Sequence, residues 1–283
     1  MNSIPVFYSE KMVANITSFS PSSRKPREVV NSWRELGIPL DVREPAPVTK
    51  AQFYQAHDQK FVDDLLACRT ENGFGNRSKL VAASLPWTNG AMLSAAREAI
   101  KNGCVAVAPA SGYHHSGFDF CGAYCSLNGL MIAAAVLLNE GGVARAGILD
   151  LDMHFADGTN DIRQRLKLTA KVPHFTAGKY WYQSKQAKIF LEMLPELVEA
   201  FGGCDVLLYQ AGVDCHVSDP LGGWMNTAEM YERDKIVFET AKRIGLPICF
   251  NLGGGYQSPL RKVLDLHDNT LRACANSYLT KET

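Results

Sequence analysis

Residues 146–154 read AGILDLDMH, an apolar run whose second half carries two aspartates and a histidine. The apolar half predicts a buried β-strand, along which successive side chains point to opposite faces. Asp150, Asp152 and His154 occupy alternate positions, so we expect them to start on one side of the chain. Three ionisable groups at a buried strand end require hydrogen bonds or a compensating charge. The run therefore predicts either a loop cap at Asp150 with His154 in the core, or a site for a divalent cation.

Short apolar runs of the same kind recur along the chain and alternate with longer helical segments. The other predicted strands cover residues 104–109, 205–210 and 247–252. The predicted helices cover residues 88–101, 127–140, 185–201 and 227–244. This alternation predicts an α/β fold with a central, mostly parallel sheet and helices on both faces. Because no linker divides the pattern, we expect residues 1–283 to form a single domain.

The composition excludes several classes of function. Hydrophobic residues make up 46% of the chain, which is enough for a sizeable core. Lysine plus arginine and aspartate plus glutamate both number 29, so no basic excess attracts nucleic acid or anionic lipid. We find no secretory signal, no apolar run long enough to span a membrane, and cysteines mostly in apolar surroundings. We therefore expect a cytoplasmic protein that binds neither nucleic acid nor membrane.

A second apolar run, residues 206–214, reads VLLYQAGVD and also ends in an acid, Asp214. Ligands of open parallel sheets bind beyond the carboxyl ends of the strands, where both acidic strand ends would meet. Asp214 alone is typical of a turn. Together with Asp152 and His154 it would complete a set of three ligands with open positions, which is typical of a catalytic metal site. Aspartate and histidine ligands suit zinc or a similar metal.

Two adjacent histidines occur in residues 111–117, which read SGYHHSG. On a loop, both His114 and His115 can face one pocket and act there as general base and general acid. Each histidine would need a carboxylate to fix its tautomer, and Asp150 and Asp157 are available for this purpose. The alternative interpretation is a loop with two solvated histidines.

A glycine-rich segment, NLGGGY at residues 251–256, follows the last predicted strand. It lacks the Lys-Ser/Thr pair and the glycine spacing of a phosphate-binding loop, so we consider that function weak. Three glycines also make a pliable loop that could present Tyr256, whose phenol could donate a hydrogen bond to a developing oxyanion. The alternative is an ordinary turn with a packed tyrosine.

These four motifs, taken together and in this order, resemble the histone deacetylase family, which includes bacterial acetylpolyamine amidohydrolases and acetoin-utilisation proteins. The resemblance extends from Ser111 to Tyr256, with weaker matches at residues 25–27 and 56–58. Each motif alone is modest, whereas four in the right order are specific. The resemblance implies an arginase-like fold, in which helices enclose a parallel sheet.

The resemblance assigns the metal ligands to the pattern Asp-x-Asp-x-His and to the acid after the next strand. By this match Asp152, His154 and Asp214 would bind the metal. The family implies Zn²⁺, with Fe²⁺ as an alternative, and a structural K⁺ as an additional ion. The resemblance thus favours the cation site over the hydrogen-bonded strand end.

The resemblance also implies a catalytic group around this metal. His114 would be held by Asp150 and would help electrostatically, while His115 would be held by Asp157 and would transfer protons. Tyr256 would stabilise the oxyanion. The reaction implied is hydrolysis of an N-acyl amide.

Substrate-facing residues depart from the family pattern. The family sequence Gly-Phe-Cys-x-Leu-Asn corresponds to AYCSLN at residues 123–128, so a phenol, Tyr124, replaces the phenylalanine of the channel wall. Leu221, after Asp-Pro, offers none of the negative charge that polyamine-selective members place near the pocket mouth. Gly254 completes the expected substrate-binding residues, and Asn76 is our suggestion for the family's rim aspartate. The family's His-Pro-Glu and Pro-Gly-Thr-Gly segments are absent from residues 19–22 and 175–180.

The expected activity is therefore metal-dependent removal of an acetyl or other short acyl group from an acyl-lysine peptide or a small acylated amine. Hydrolysis of acetylpolyamines or other small amides is the alternative on the same fold, and Leu221 favours acyl-lysine. A binuclear manganese ureohydrolase would require a second aspartate two residues after Asp214, where the chain has His216. A non-catalytic acyl-ligand binding protein would have no need of an oxyanion donor. The sequence leaves a homo-oligomer open.

Overall fold

The strands of this protein pair into a single seven-stranded sheet in a computed structural model that describes residues 1–280. They are β1 (Ile4–Phe7), β2 (Leu40–Arg43), β3 (Val105–Ala108), β4 (Ala146–Asp150), β5 (His174–Thr176), β6 (Val206–Gly212) and β7 (Ile248–Gly253). Their order across the sheet is β2-β1-β3-β7-β6-β4-β5, and all neighbouring pairs are parallel. The predicted parallel sheet is confirmed.

Helices cover the sheet on both faces, as predicted. They are α1 (Lys25–Arg34), α2 (Lys50–Phe53), α3 (Gln59–Leu66), α4 (Lys79–Asn102), α5 (Gly129–Glu140), α6 (Asp157–Arg165), α7 (Ala187–Glu199), α8 (Thr227–Arg243) and α9 (Arg261–Tyr278). Helices α1, α7, α8 and α9 pack against one another, while α2 to α6 form the second group. Among the helices of residues 1–280, we find none with the length and apolar character needed to cross a membrane.

Helix α4 begins earlier than the sequence pattern predicts. We expected its start at Thr88, but it starts at Lys79, and the Ser78 hydroxyl accepts a hydrogen bond from the first turn. Pro86 lies inside the helix, where a proline costs roughly 3 kcal/mol. Leu85 and other apolar side chains of the early turns are buried, and their burial offsets that cost. Thr88 instead lies in mid-helix and donates to the carbonyl of Leu85 at 3.2 Å.

The centre of the sheet determines where the functional residues meet. Strand β6 pairs with β4 on one side and with β7 on the other, so the carboxyl ends of all three strands are adjacent. Segments that leave these ends therefore start within two strand spacings of each other, although long stretches of sequence separate them. The residues singled out by their sequence patterns lie at this edge.

Candidate metal centre and active site

Three side chains at this edge form a compact cluster. The ligand atoms of Asp152, His154 and Asp214 all lie within 4.8 Å of one another. The Nδ1 atom of His154 is 3.2 Å from Oδ1 of Asp152 and 3.0 Å from Oδ2 of Asp214. Both carboxylates are buried, whereas His154 is half-buried. The structure thus brings together the three residues that we predicted as metal ligands.

The turn after β4 is shaped by its own carboxylates. We expected strand alternation to align Asp150, Asp152 and His154, but β4 ends at Asp150 and the other two lie beyond it. The amide of Asp152 donates to Asp150 at 3.0 Å, and the amide of His154 donates to Asp152 at 2.9 Å. Asp214 accepts from the amide of Met153 at 3.0 Å. Beyond the end of the sheet ladder, these bonds from backbone amides to carboxylates position the three acidic side chains.

A buried arginine holds the two strand ends from inside the fold. Arg233, on α8, donates from Nη1 to the carbonyl of Leu151 at 3.1 Å and to that of Gly212 at 2.7 Å. Gly212 leaves no room for a side chain, because a Cβ there would lie 2.4 Å from Cα of Asp152. The guanidinium is fully buried and forms an ion pair with Asp234. Close packing and this shared donor therefore fix the spacing between the ends of β4 and β6.

A cation would stabilise the two buried carboxylates of this cluster. Burial and the charge of Asp152 raise the pKa of Asp214 to about 7. Burial opposes ionisation of Asp152 as well, but His114 and His154 keep its pKa below the usual range. Hydrogen bonds to the two carboxylates raise the pKa of His154 to about 10. Two buried carboxylates and one imidazole that converge in this way fit Zn²⁺, or Fe²⁺ as an alternative.

The tandem histidines are each held by one of the expected acids. His114 Nδ1 lies 2.8 Å from Asp150 Oδ2, and His115 Nδ1 lies 2.6 Å from Asp157 Oδ1. The centroids of the two imidazole rings are 4.1 Å apart. Because a carboxylate beside Nδ1 favours a proton on that atom, Nε2 of each neutral ring is left as an acceptor.

The two histidines differ in charge. Burial lowers the pKa of His114, but the carboxylates of Asp150 and Asp152 outweigh this effect and raise it to about 9. Burial and the adjacent positive charge of His114 lower the pKa of His115 despite its bond to Asp157. At neutral pH, His114 is therefore the charged member of the pair and His115 is the member able to accept a proton.

Tyr256 reaches the same pocket through a glycine turn. Gly254 and Gly255 have φ angles of 47° and 89°, in the region where side chains are disfavoured. A Cβ on Gly254 would lie 2.2 Å from Cγ of Asp214, so the turn packs directly on one carboxylate of the candidate metal cluster. Burial, followed by the charges of Asp214 and Asp152, raises the pKa of Tyr256, so its phenol remains protonated as a hydrogen-bond donor.

Gly254→Ala should weaken zinc binding, because the added methyl group must push Asp214 out of place. We expect the zinc affinity to fall by about 10-fold or more, in the range seen when residues that support metal ligands are removed. Competition with a chromophoric chelator measures this affinity. Gly103→Ala is the matched control, because Gly103 has a similar φ of 65° with open space around it. Equal zinc affinities of Gly254→Ala and Gly103→Ala would contradict the prediction.

Aromatic side chains form one wall of the pocket. The ring centroids of Tyr124 and Tyr256 are 5.7 Å apart, and Phe74 lies 5.9 Å from Tyr124. Phe19 stacks on Tyr256 at 5.7 Å with an interplanar angle of 13°. Ala123 and Tyr124 have φ angles of 45° and 64°, so this wall stores backbone strain at two residues that carry side chains.

A pocket lies between this wall and the cluster. Its lining includes His114, Asp152, Gly254, Tyr124 and Tyr256. Of the expected substrate-binding residues, Tyr124 and Gly254 therefore lie at the pocket. Leu221 is not part of this lining; its side chain is 42% exposed on the loop after β6.

From the sequence we did not predict a role in the site for three residues that lie there. Lys25 is fully buried and donates from Nζ to the carbonyl of Gly254 at 2.5 Å. Asp219 is buried and accepts a hydrogen bond from the amide of Tyr256. Phe19 lies in residues 19–22, where we noted from the sequence only that the family's His-Pro-Glu segment is absent. Of these three residues, only Asp219 is marked by a sequence feature, the aspartate-proline pair soon after Asp214.

Comparison with known proteins identifies relatives of the chain. A family model described as the histone deacetylase domain matches residues 22–182 and 171–271. An uncharacterized protein of Picosynechococcus sp. is 28% identical over 221 residues, which cover 69% of this chain and 73% of the relative. Acetylpolyamine amidohydrolase 1 of Pseudomonas aeruginosa is 30% identical over 177 residues, covering 50% of this chain and 48% of that protein. The chain thus spans about half the length of this amidohydrolase.

Solved structures share the fold. The HDA15 HD domain has a TM-score of 0.76 at 18% identity. The match covers 100% of this chain and 90% of the HDA15 chain. An acetylpolyamine aminohydrolase from Burkholderia pseudomallei has a TM-score of 0.70 at 17% identity. The match covers 96% of this chain and 98% of the aminohydrolase chain. These neighbours confirm the expected architecture, and the family match confirms the resemblance. The chain therefore belongs to the histone deacetylase family.

Proposed function

We propose that this protein is a metal-dependent amidohydrolase that removes an acetyl or other short acyl group from an N-acylated amine such as acetyl-lysine. The observation that carries the proposal is a candidate metal-binding cluster and a histidine pair at one edge of the sheet, of which Asp152 and His114 line one pocket together with the phenol of Tyr256. Asp152, His154 and Asp214 would hold the metal, with zinc as the expected ion and Fe²⁺ as the alternative. When bound, such a metal supplies Lewis acidity toward the amide carbonyl and the attacking water.

The side chains divide the proton transfers between them. His115, neutral and fixed by Asp157, accepts a proton from water as the oxygen attacks the carbonyl carbon. The same proton then passes to the nitrogen as the C–N bond breaks, which yields a carboxylic acid and a free amine. His114, charged beside Asp150, stabilises the negative charge that develops during attack. Tyr256 donates a hydrogen bond to the oxyanion.

The pocket supports acylated amines as the substrate class. The names of the Pseudomonas aeruginosa and Mycoplana ramosa relatives, acetylpolyamine amidohydrolases, point to the same class. The aromatic wall of Phe74, Tyr124 and Tyr256 suits an alkyl chain, which would pass along it toward the metal. Leu221 adds no negative charge for a polyamine. We therefore favour acyl-lysine over acetylpolyamines, with the latter as the second candidate.

The cysteines bear on the compartment. All eight are free, and Cys125, Cys204, Cys215, Cys249 and Cys274 are buried. Free thiols are typical of proteins in a reducing environment. This supports our proposal that the protein acts in the cytoplasm. We also propose that residues 1–283 form one catalytic domain, because a single sheet spans the described residues.

A substrate panel tests the proposed function. Protein stripped of metal and then reconstituted with zinc or Fe²⁺ is assayed with acetyl-lysine peptides, longer acyl-lysines, acetylated polyamines and guanidino compounds. We expect hydrolysis only after reconstitution, and a higher kcat/KM for acetyl-lysine than for acetylpolyamines. Urea release from a guanidino compound would instead indicate a ureohydrolase. Substrate binding without turnover in every reconstituted sample would indicate a binding protein.

A further inference from the structure

Asp219 makes two contacts that the proposed mechanism does not use. It lies on the loop after β6, and its side chain is only 6% exposed. Its Oδ2 atom accepts from the backbone amide of Tyr256 at 2.8 Å, and its Oδ1 atom accepts from the amide of Leu221 at 3.0 Å. One carboxylate therefore joins the loop that carries the phenol to the loop that carries Leu221.

The segment that carries Tyr256 needs such a restraint. Gly254 and Gly255, directly before the tyrosine, have positive φ angles and the broad freedom of glycine. Lys25 holds the carbonyl of Gly254 at 2.5 Å from the buried side. Phe19 stacks on the ring of Tyr256 but is itself 60% exposed, so it is a weak anchor. The bond from Asp219 is thus the polar contact closest along the chain to the phenol.

The charges of Asp219 and Lys25 affect how strongly these residues hold the turn that carries Tyr256. Burial raises the pKa of Asp219, whereas the hydrogen bonds from the amides of Tyr256 and Leu221 favour its carboxylate form. The carboxylate in turn favours the charged form of the buried Lys25. Hydrogen bonds from backbone amides to a carboxylate are shorter and stronger than bonds to neutral acceptors. Lys25 and Asp219 therefore hold the turn from two directions, one at the carbonyl of Gly254 and one at the amide of Tyr256.

We propose that Asp219 is a positioning residue that sets the location of the Tyr256 phenol over the pocket and links it to the Leu221 loop. It acts through Tyr256 and touches neither metal nor substrate. The inference rests on the proposed function, in which Tyr256 stabilises the oxyanion. A displacement of about 1 Å in a positioned group can lower a rate by about 100-fold, so loss of this contact should be measurable in kcat.

Asp219→Asn tests the proposal, because asparagine keeps one acceptor oxygen but loses the second and the charge. In zinc-loaded protein we expect kcat to fall by up to about 100-fold, with a much smaller change in KM and unchanged zinc affinity. Asp205→Asn is the matched control. Asp205 also accepts from two backbone amides, those of Ala144 and Arg145, but away from the pocket. We expect this control to retain the wild-type kcat.

A double-mutant cycle separates positioning from general damage. If Asp219 acts through the phenol, Asp219→Asn should cost little further activity in a Tyr256→Phe background. A full additional loss in that background would overturn the proposal. Hydrogen exchange gives a readout that needs no substrate: the peptide spanning residues 253–258 should exchange faster in Asp219→Asn than in Asp205→Asn. Unchanged exchange there would also overturn it, whereas an inactive wild type with faster exchange in the variant would count only against the proposed function.

Discussion

Asp214→Asn is expected to abolish zinc binding and amide hydrolysis together. Asp214 supplies one of three converging ligand atoms, and its Oδ2 lies 3.0 Å from Nδ1 of His154. A neutral amide is a much weaker ligand than a carboxylate, and its introduction halves the buried negative charge that the ion would neutralise. Loss of a supporting residue alone costs about 10- to 100-fold in metal affinity, so loss of a ligand should cost more than about 100-fold.

Metal analysis and calorimetry check this prediction. Zinc content after dialysis should approach zero in Asp214→Asn, and kcat/KM should fall below detection. Added zinc should raise the Tm of the wild type but not that of the variant, because a ligand stabilises only a fold that binds it. Asp265→Asn, an exposed change in the ion pair with Arg261, should retain both zinc and activity. One tightly bound zinc per chain in Asp214→Asn would exclude Asp214 as a ligand.

Tyr256→Phe should lower kcat by about 100- to 1,000-fold, the cost of removing one donor to an oxyanion. Phenylalanine keeps the ring, which packs at 5.7 Å from both Phe19 and Tyr124, so the fold of the wall should survive. KM should change little, because the lost hydrogen bond strengthens only as charge develops on the carbonyl oxygen.

Steady-state kinetics and zinc content together test the role of the phenol. Zinc content should equal that of the wild type, since the predicted ligands are Asp152, His154 and Asp214. Tyr182→Phe removes a phenol whose residue is 58% exposed and should leave kcat unchanged. Full activity of Tyr256→Phe would remove Tyr256 from the mechanism, whereas loss of zinc would point to a structural role.

The fold could be predicted because its strands are short apolar runs with distinct ends. Residues 146–150 and 206–212 are buried strands, close to the predicted boundaries. Acids placed directly after such runs pointed to one edge of a parallel sheet, since strand ends of that kind meet there. The order of the strands, in which β6 lies between β4 and β7, was not readable from the sequence.

The supporting contacts could not be predicted because they join distant segments. Lys25 and Gly254, which share a hydrogen bond, are 229 positions apart in the chain. No local pattern marks a lysine as buried, since most lysines are exposed. The early start of α4 was hidden for a related reason: Pro86 is a local stop signal, and only tertiary packing explains why the helix continues through it.

The position of Arg233 affects which parts of this protein can vary in sequence. From within the interior it holds both strand ends that precede the proposed metal ligands, through the carbonyls of Leu151 and Gly212. Phe19 and Leu221 belong to surface loops outside that anchorage. Such loops can be exchanged or lengthened while the spacing between the ends of β4 and β6 is kept. Natural variation and protein engineering alike can therefore redirect selectivity at the rim without rebuilding the proposed metal site, provided that Asp219 keeps its bond to the amide of Tyr256.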